Sequence, residues 1–359
     1  EEQYKKYFET FKFPLSDFQK YSIKATVEGN HSLITAHTGS GKTLPAEFAI
    51  QYFTSQGKKV IYTSPIKALS NQKLHDLSEK YPDISFGLLT GDTKHNPEAD
   101  VLIMTTEILR NTLFQKQIHK DNENAESLLQ FTMDMDTELG CVIFDEIHYI
   151  DDPERGGVWE QSIIMLPKQV QMIMLSATID KPELFAKWIE KKKEKEVILS
   201  GTNRRVVPLN HYGFITTQSN YIDNIKNQND KKMVQEVVNK FIVLKEQGND
   251  IDETNYHKIK KVERYFQNNK SWVPRKNVLN KLASELKEKE MLPAICFVFS
   301  RRNVELFAKE IDIQLHEEGS TVPSIIENEC RQLLVKKLTN WREYVRLPEY
   351  NTIVKLLEK

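Results

Sequence analysis

Only three cysteines, Cys141, Cys296 and Cys330, occur in 359 residues, far apart and without paired spacing. That argues against a disulfide framework or a zinc site and predicts buried, reduced thiols. No apolar run approaches the ~18 residues a membrane-spanning helix needs. Neither sign of charge is in excess, with 50 Lys and Arg against 51 Asp and Glu. Any surface for a polyanion must therefore be a local patch rather than a global field. The opening Glu1-Glu2-Gln3-Tyr4-Lys5-Lys6 has neither a signal-peptide h-region nor an initiating Met, so the chain reads as an intracellular protein and as an excised fragment. No internal repeat is present. What remains is a chain of ordinary apolar and charged content, with room for roughly two domains.

Short apolar runs alternate with amphipathic stretches through about residue 208. Buried strands are expected at 31–35, 59–63, 101–104, 141–144 and 172–175, each continuous and bounded by Gly, Pro, Ser or charge. Helices are expected at 45–54, 67–80 and 107–114. This alternation predicts an α/β domain with a mostly parallel sheet and ligands at the carboxyl ends of its strands. Residues 209–290 turn Asn-, Lys-, Asp- and Gln-rich and read as a connector and surface insertion without a core of its own, with exposed helices at 231–246 and 256–266. A further strand at 294–299 and helices from 303 onward read as the start of a second, incomplete domain spanning 291–359.

Ala36-His37-Thr38-Gly39-Ser40-Gly41-Lys42-Thr43 follows a strand and opens a helix, the context a phosphate-binding loop requires. Its glycines let backbone N–H groups turn toward phosphate oxygens, and the helix N-terminus adds a favourable dipole. Lys42 suits the β- and γ-phosphates and the Thr43 hydroxyl suits Mg²⁺. Ala36 replaces the usual first Gly, and His37 taken alone reads as loop filler. Cys141-Val142-Ile143-Phe144-Asp145-Glu146-Ile147-His148 is a buried strand ending in two carboxylates. Asp145 can hold Mg²⁺ through water, and Glu146 can orient and deprotonate an attacking water. Ser176-Ala177-Thr178 ends the next strand, where small hydroxyls could bond to the acidic pair and relay its state.

Phosphate loop, Asp-Glu-Ile-His and Ser-Ala-Thr in this order resemble the superfamily-2 DExH-box helicases, and among them the Ski-like ATP-dependent RNA helicases. The likeness extends through Ser64-Pro65-Ile66-Lys67-Ala68-Leu69-Ser70-Asn71-Gln72-Lys73, Leu89-Thr90-Gly91-Asp92 and Met104-Thr105-Thr106-Glu107-Ile108-Leu109-Arg110-Asn111. It continues in Arg155-Gly156-Gly157-Val158-Trp159-Glu160 and Phe297-Val298-Phe299-Ser300-Arg301-Arg302. The resemblance implies two RecA-like lobes, the first in residues 1–208, with ATP and Mg²⁺ as cofactors and single-stranded RNA bound without base preference. It also implies a link to RNA-degradation machinery and a place in the cytoplasm or nucleus. By it, Asp145, Glu146, His148, Ser176 and Thr178 form the catalytic set. Phe13 stacks on adenine and Gln19 bonds its edge, with Ser16 as a helix cap and Phe18 either core or ligand contact. Pro65, Lys67, Gly91, Asp92, Thr105, Thr106 and Arg110 line the RNA path, while Arg155 and Trp159 stay open between substrate-facing and structural.

The family's Gln-x-x-Gly-Arg-x-Gly-Arg segment, whose arginines complete the ATP site, does not occur here. The chain is therefore expected to stop short of it and to bind nucleotide better than it turns it over. Two other readings stand beside an RNA helicase: a DNA helicase of the same superfamily, and a non-catalytic, nucleotide-gated RNA-binding module.

Overall fold

The computed structural model describes residues 2–121, 133–218, 220–317 and 319–359. The chain divides into two compact units, Glu1–Val207 and Pro208–Lys359. Among the described residues no helix is long and apolar enough to cross a membrane.

The first unit is built on eight strands: β1 (His31–Ala36), β2 (Lys59–Ser64), β3 (Phe86–Leu89), β4 (Lys94–His95), β5 (Val101–Thr105), β6 (Leu139–Phe144), β7 (Gln171–Ser176) and β8 (Val197–Thr202). Their order across the sheet is β4-β3-β5-β2-β6-β7-β1-β8, and every pairing is parallel except β3 with β4. All five expected strands form. The short β3, the polar β4 and the edge strand β8 lie where no strand was read.

Side chains alternate across this sheet, as a two-residue period demands. Val142 and Phe144 of β6 enter one core with Met172 and Met174 of β7, while Cys141 and Ile143 enter the other with Ile173 and Leu175. Helices close both faces, which is why the strands read as unbroken apolar runs. Lys67–Lys80 is a helix as expected, Leu44–Thr54 starts one residue early, and Thr106–Asp121 runs past the expected end at residue 114.

The parallel strands deliver every chemical motif to one edge. The phosphate loop leaves β1, Asp145 and Glu146 leave β6, and Ala177 and Thr178 leave β7. Pro65 follows β2, Gly91 and Asp92 follow β3, and Thr106 follows β5.

The second unit departs further from expectation. The stretch read as lacking a core buries Ile225, Val234, Val237, Val238, Val262 and Phe266 together. The helix expected over 231–246 is Gln228–Val237 and then breaks, because Asn239 adopts a left-handed φ of 58° and donates its N–H to the Ile215 carbonyl. Ile242–Lys245 beyond it is a strand, β10, antiparallel to β9 (His211–Gly213). The helix Glu253–Asn268 packs above, longer than the expected 256–266.

The strand expected at 294–299 does not form: it has no ladder partner among the described residues, and Ile295, Phe297 and Phe299 are 80%, 79% and 103% exposed. Apolar content alone cannot hold a strand without a neighbour to satisfy its backbone. The same exposure corrects the thiol reading, since Cys141 is buried but Cys296 is open and Cys330 half-buried. The helix expected over 303–316 is Arg301–Glu310, followed by the helices Val322–Lys337, Trp341–Val345 and Pro348–Leu357.

Candidate functional site: a phosphate loop facing an acidic pair

Gly39 and Gly41 have φ of +84° and +81°, a region L side chains rarely adopt. These two positions let the chain reverse between β1 and the helix at Leu44. Ser40 folds onto the turn, its N–H and hydroxyl both donating to the His37 carbonyl at 3.1 and 2.5 Å. Pro45 lies in the first helical turn, where its missing N–H costs little. Burial and the nearby Arg205 guanidinium hold His37 below the usual histidine range.

Lys42 is only 7% exposed, and its ammonium donates to both Glu146 carboxylate oxygens at 3.0 and 3.2 Å. Glu146 reaches it from a left-handed backbone, φ 52°, just after β6. Asp145 is also buried; its carboxylate accepts from the Tyr62 hydroxyl at 2.6 Å on Oδ2 and from the Glu146 N–H at 3.0 Å on Oδ1, while its own N–H donates to the Thr63 carbonyl. Burial, then the Asp145 charge, raises the Tyr62 phenol far above its ordinary range, so it remains a donor. Reading the sequence missed Tyr62; a phenol interrupting an otherwise aliphatic strand was the available signal.

His148 Nδ1 lies 3.3 Å from Glu146 Oε2, but the alignment makes no hydrogen bond. Ser176 is fully buried and its hydroxyl has no partner among the described residues. Neither it nor Thr178 bonds to Asp145 or Glu146, so the hydroxyl relay expected of Ser-Ala-Thr is not made here. Thr178 instead shares an open cleft of about 480 Å³ with Thr35, His37, Asp180, Thr202 and Asn203.

Gln19 ties the upstream segment to the loop. Its Oε1 accepts from the Ser16 N–H at 2.9 Å, and its Nε2 donates to the Gly41 carbonyl at 3.1 Å. Phe13 is 54% exposed beside Phe11, whereas Phe18 is buried in the core. Thr38 is exposed, Thr43 half-buried, and Ala36 enclosed at the end of β1.

On the other half of the edge, Lys67 pairs with Asp92 at 2.9 Å, and Thr90 donates to the same carboxylate at 3.0 Å. Both hydrogen bonds and the Lys67 charge hold Asp92 below the usual carboxylate range. Gly91 lies against the Lys67 side chain, close enough that an added Cβ would meet its ammonium at 3.6 Å. Arg110 is turned onto the neighbouring Asn111 amide oxygen. Thr105 is buried, and Thr106 is fully buried with a hydroxyl that has no partner among the described residues, so neither side chain is presented to a ligand.

Arg155 and Trp159 resolve as supports. The Arg155 guanidinium donates to the Pro65 carbonyl and to Glu107, both at 2.6 Å, and stacks over Tyr149 and Trp159. Trp159 is completely buried, stacked on Tyr149 at an interplanar angle of 24°. Arg155 thus pins the loop after β2 to the helix after β5.

The DEAD/DEAH box helicase family matches residues 16–185. The antiviral helicase SKI2 of Saccharomyces cerevisiae is 44% identical over 197 residues, 55% of this chain and 14% of that protein. Superkiller complex protein 2 of Mus musculus is 45% identical over 55% of the chain and 14% of its own length. The ATP-dependent RNA helicase mtr4 of Schizosaccharomyces pombe is 34% identical over 356 residues, 98% of this chain and 29% of the relative. The chain therefore spans between 14% and 29% of the length of these relatives. Residues 16–185 are a DEAD/DEAH box helicase domain, and the chain is similar to the SKI2, superkiller 2 and mtr4 helicases over the stretches they share with it.

Proposed function

We propose that this chain carries the nucleotide-binding lobe of an ATP-dependent RNA helicase that moves along single-stranded RNA without reading base sequence. The observation that supports it is the division of one sheet edge. The phosphate loop, the acidic pair and Ser-Ala-Thr stand at the ends of β1, β6 and β7, and the residues assigned to RNA stand at or beyond the ends of β2, β3 and β5, so a change at one set has only the β6–β2 boundary to cross.

On this reading the Gly39 and Gly41 turn presents backbone N–H groups to phosphate, while Ala36, His37, Thr38 and Ser40 shape the loop. Phe13 offers an open ring face for adenine, and Gln19 an amide for its edge. Lys42 moves from Glu146 to the terminal phosphates, and Glu146, so released, takes a proton from the attacking water. His148 stands beside Glu146, close enough to orient it, and Ser176 and Thr178 would relay the change only by first turning their hydroxyls onto the acidic pair, which they do not touch here. Thr43 and Asp145 supply the oxygen donors a hard cation prefers, and Mg²⁺ there would neutralise phosphate charge. The RNA backbone runs past Pro65, Lys67, Gly91, Asp92, Thr105, Thr106 and Arg110, with Thr105 and Thr106 contributing main chain, since their side chains are buried.

Residues 1–208 form the ATP-binding lobe, 209–290 the connector, and 291–359 belong to a second lobe. The relatives' names favour RNA over DNA, and the resemblance favours work with RNA-degradation machinery in the cytoplasm or nucleus. Competition of RNA and DNA oligonucleotides for the chain, with and without a non-hydrolysable ATP analogue, tests the reading. Preference for RNA that tightens with nucleotide is the expected result; preference for DNA would transfer the assignment to a DNA helicase.

A further inference from the structure

The second unit carries a groove that none of the helicase motifs uses. It runs between the helices Gln228–Val237 and Glu253–Asn268 and encloses about 530 Å³. The longer helix buries Val262 and Phe266 inward and turns His257, Lys261, Arg264 and Asn268 outward, an i, i+4, i+7, i+11 stripe roughly 16 Å long. Lys261 also borders a second cleft of about 280 Å³, with Lys232 and Lys258 on its walls. Lys260 is neutralised by Glu263 at 2.8 Å, but Lys232, Lys261 and Arg264 form no ion pair among the described residues. Asp230 and Glu236 are the carboxylates on these walls. Aromatic faces alternate with the cations: Tyr256 is 43% exposed beside His257, and Tyr265 lines the same groove.

We propose that this groove binds single-stranded RNA, as a contact separate from the motor groove. The inference rests on the RNA reading above. Unpaired cations set at helical spacing suit successive phosphates, and interleaved rings give bases a surface for stacking without sequence preference. An acidic peptide would use the cations but leave the tyrosine rings without a role.

Fluorescence anisotropy of the whole chain with labelled mixed-sequence RNA tests it. Lys261→Gln/Arg264→Gln should weaken binding about tenfold and flatten the salt dependence by about 1.4 in log–log slope, two phosphates' worth. Tyr256→Ala should weaken binding about tenfold while leaving the slope unchanged. All three side chains lie outside the buried core, and an unchanged circular dichroism spectrum checks the fold. If Lys67→Ala lowers RNA affinity and neither groove variant does, the groove is not an RNA site while the helicase reading stands. A parent chain that binds no RNA overturns both. Unaltered RNA binding with loss of polyglutamate binding in the double variant assigns the surface to an acidic protein instead.

Discussion

Lys42 and Glu146, separated by more than a hundred residues and carried on the turns that follow two different strands, are paired with each other: one ammonium donates to both oxygens of one carboxylate at 3.0 and 3.2 Å. The two groups assigned to phosphate and to water are thus paired with each other. Such mutual satisfaction keeps two partly buried charges compensated, and on the proposed mechanism it would set the order of events, with Glu146 free to act as base only once Lys42 leaves it.

Lys42→Ala should therefore abolish most ATP affinity without unfolding the domain. Glu146 is 26% exposed on its side chain and can turn to water when its partner is lost. Titration calorimetry with ATP and Mg²⁺, beside a thermal melt, reads both effects. Unchanged affinity would remove Lys42 from the site.

Glu146→Gln keeps a hydrogen-bonding partner for Lys42 but cannot accept the proton. ATP binding should persist in the intact protein while RNA-stimulated hydrolysis falls about 10²-fold or more. Turnover at the parental rate would mean that another residue is the base.

Tyr62→Phe removes only the donor to Asp145 Oδ2. With that carboxylate buried, stability should fall by about 1–3 kcal/mol, and nucleotide binding should need more Mg²⁺ because Asp145 loses its fixed orientation. Denaturant melts and a Mg²⁺ titration measure the two. A variant identical to the parent in both would make the 2.6 Å contact incidental.

Lys67 is engaged by Asp92, so the two substitutions should act oppositely. Lys67→Ala should weaken binding to all RNA sequences alike and flatten the salt slope by about 0.7, one phosphate. Asp92→Asn should strengthen binding by freeing the ammonium and removing a like charge from the path. The pair's contribution to folding has a fixed sign: the Asp92 pKa is depressed, so it is present above the ordinary carboxylate range and lost as pH falls through the lowered value. Weaker binding on Asp92→Asn would mean that Asp92 serves the RNA by orienting Lys67.

Trp159→Ala should cost about 3–5 kcal/mol, because it empties a fully enclosed site and leaves Tyr149 and Arg155 without the ring they stack on. Chemical denaturation gives the value. A loss under 1 kcal/mol would show that the pocket collapses.

The local chemistry was legible in the sequence because it depends on neighbours in the chain. A buried run from Cys141 to Phe144 ending in two acids, and a Gly-x-Gly-Lys-Thr loop between strand and helix, declare strand and turn by spacing alone. The tertiary structure decided everything that depends on which strands lie side by side. Only the order β2-β6-β7-β1 brings Tyr62 onto Asp145 and Lys42 onto Glu146, and only the packing of the helix Gly156–Met165 makes Arg155 a clamp rather than a substrate contact. The same dependence explains the failures. Thr106 has the residue type and position of a ligand contact, yet its hydroxyl is sealed inside. Residues 294–299 have every apolar mark of a strand, yet they pair with no strand among the described residues, since a strand's backbone is satisfied by its neighbours and not by its own sequence.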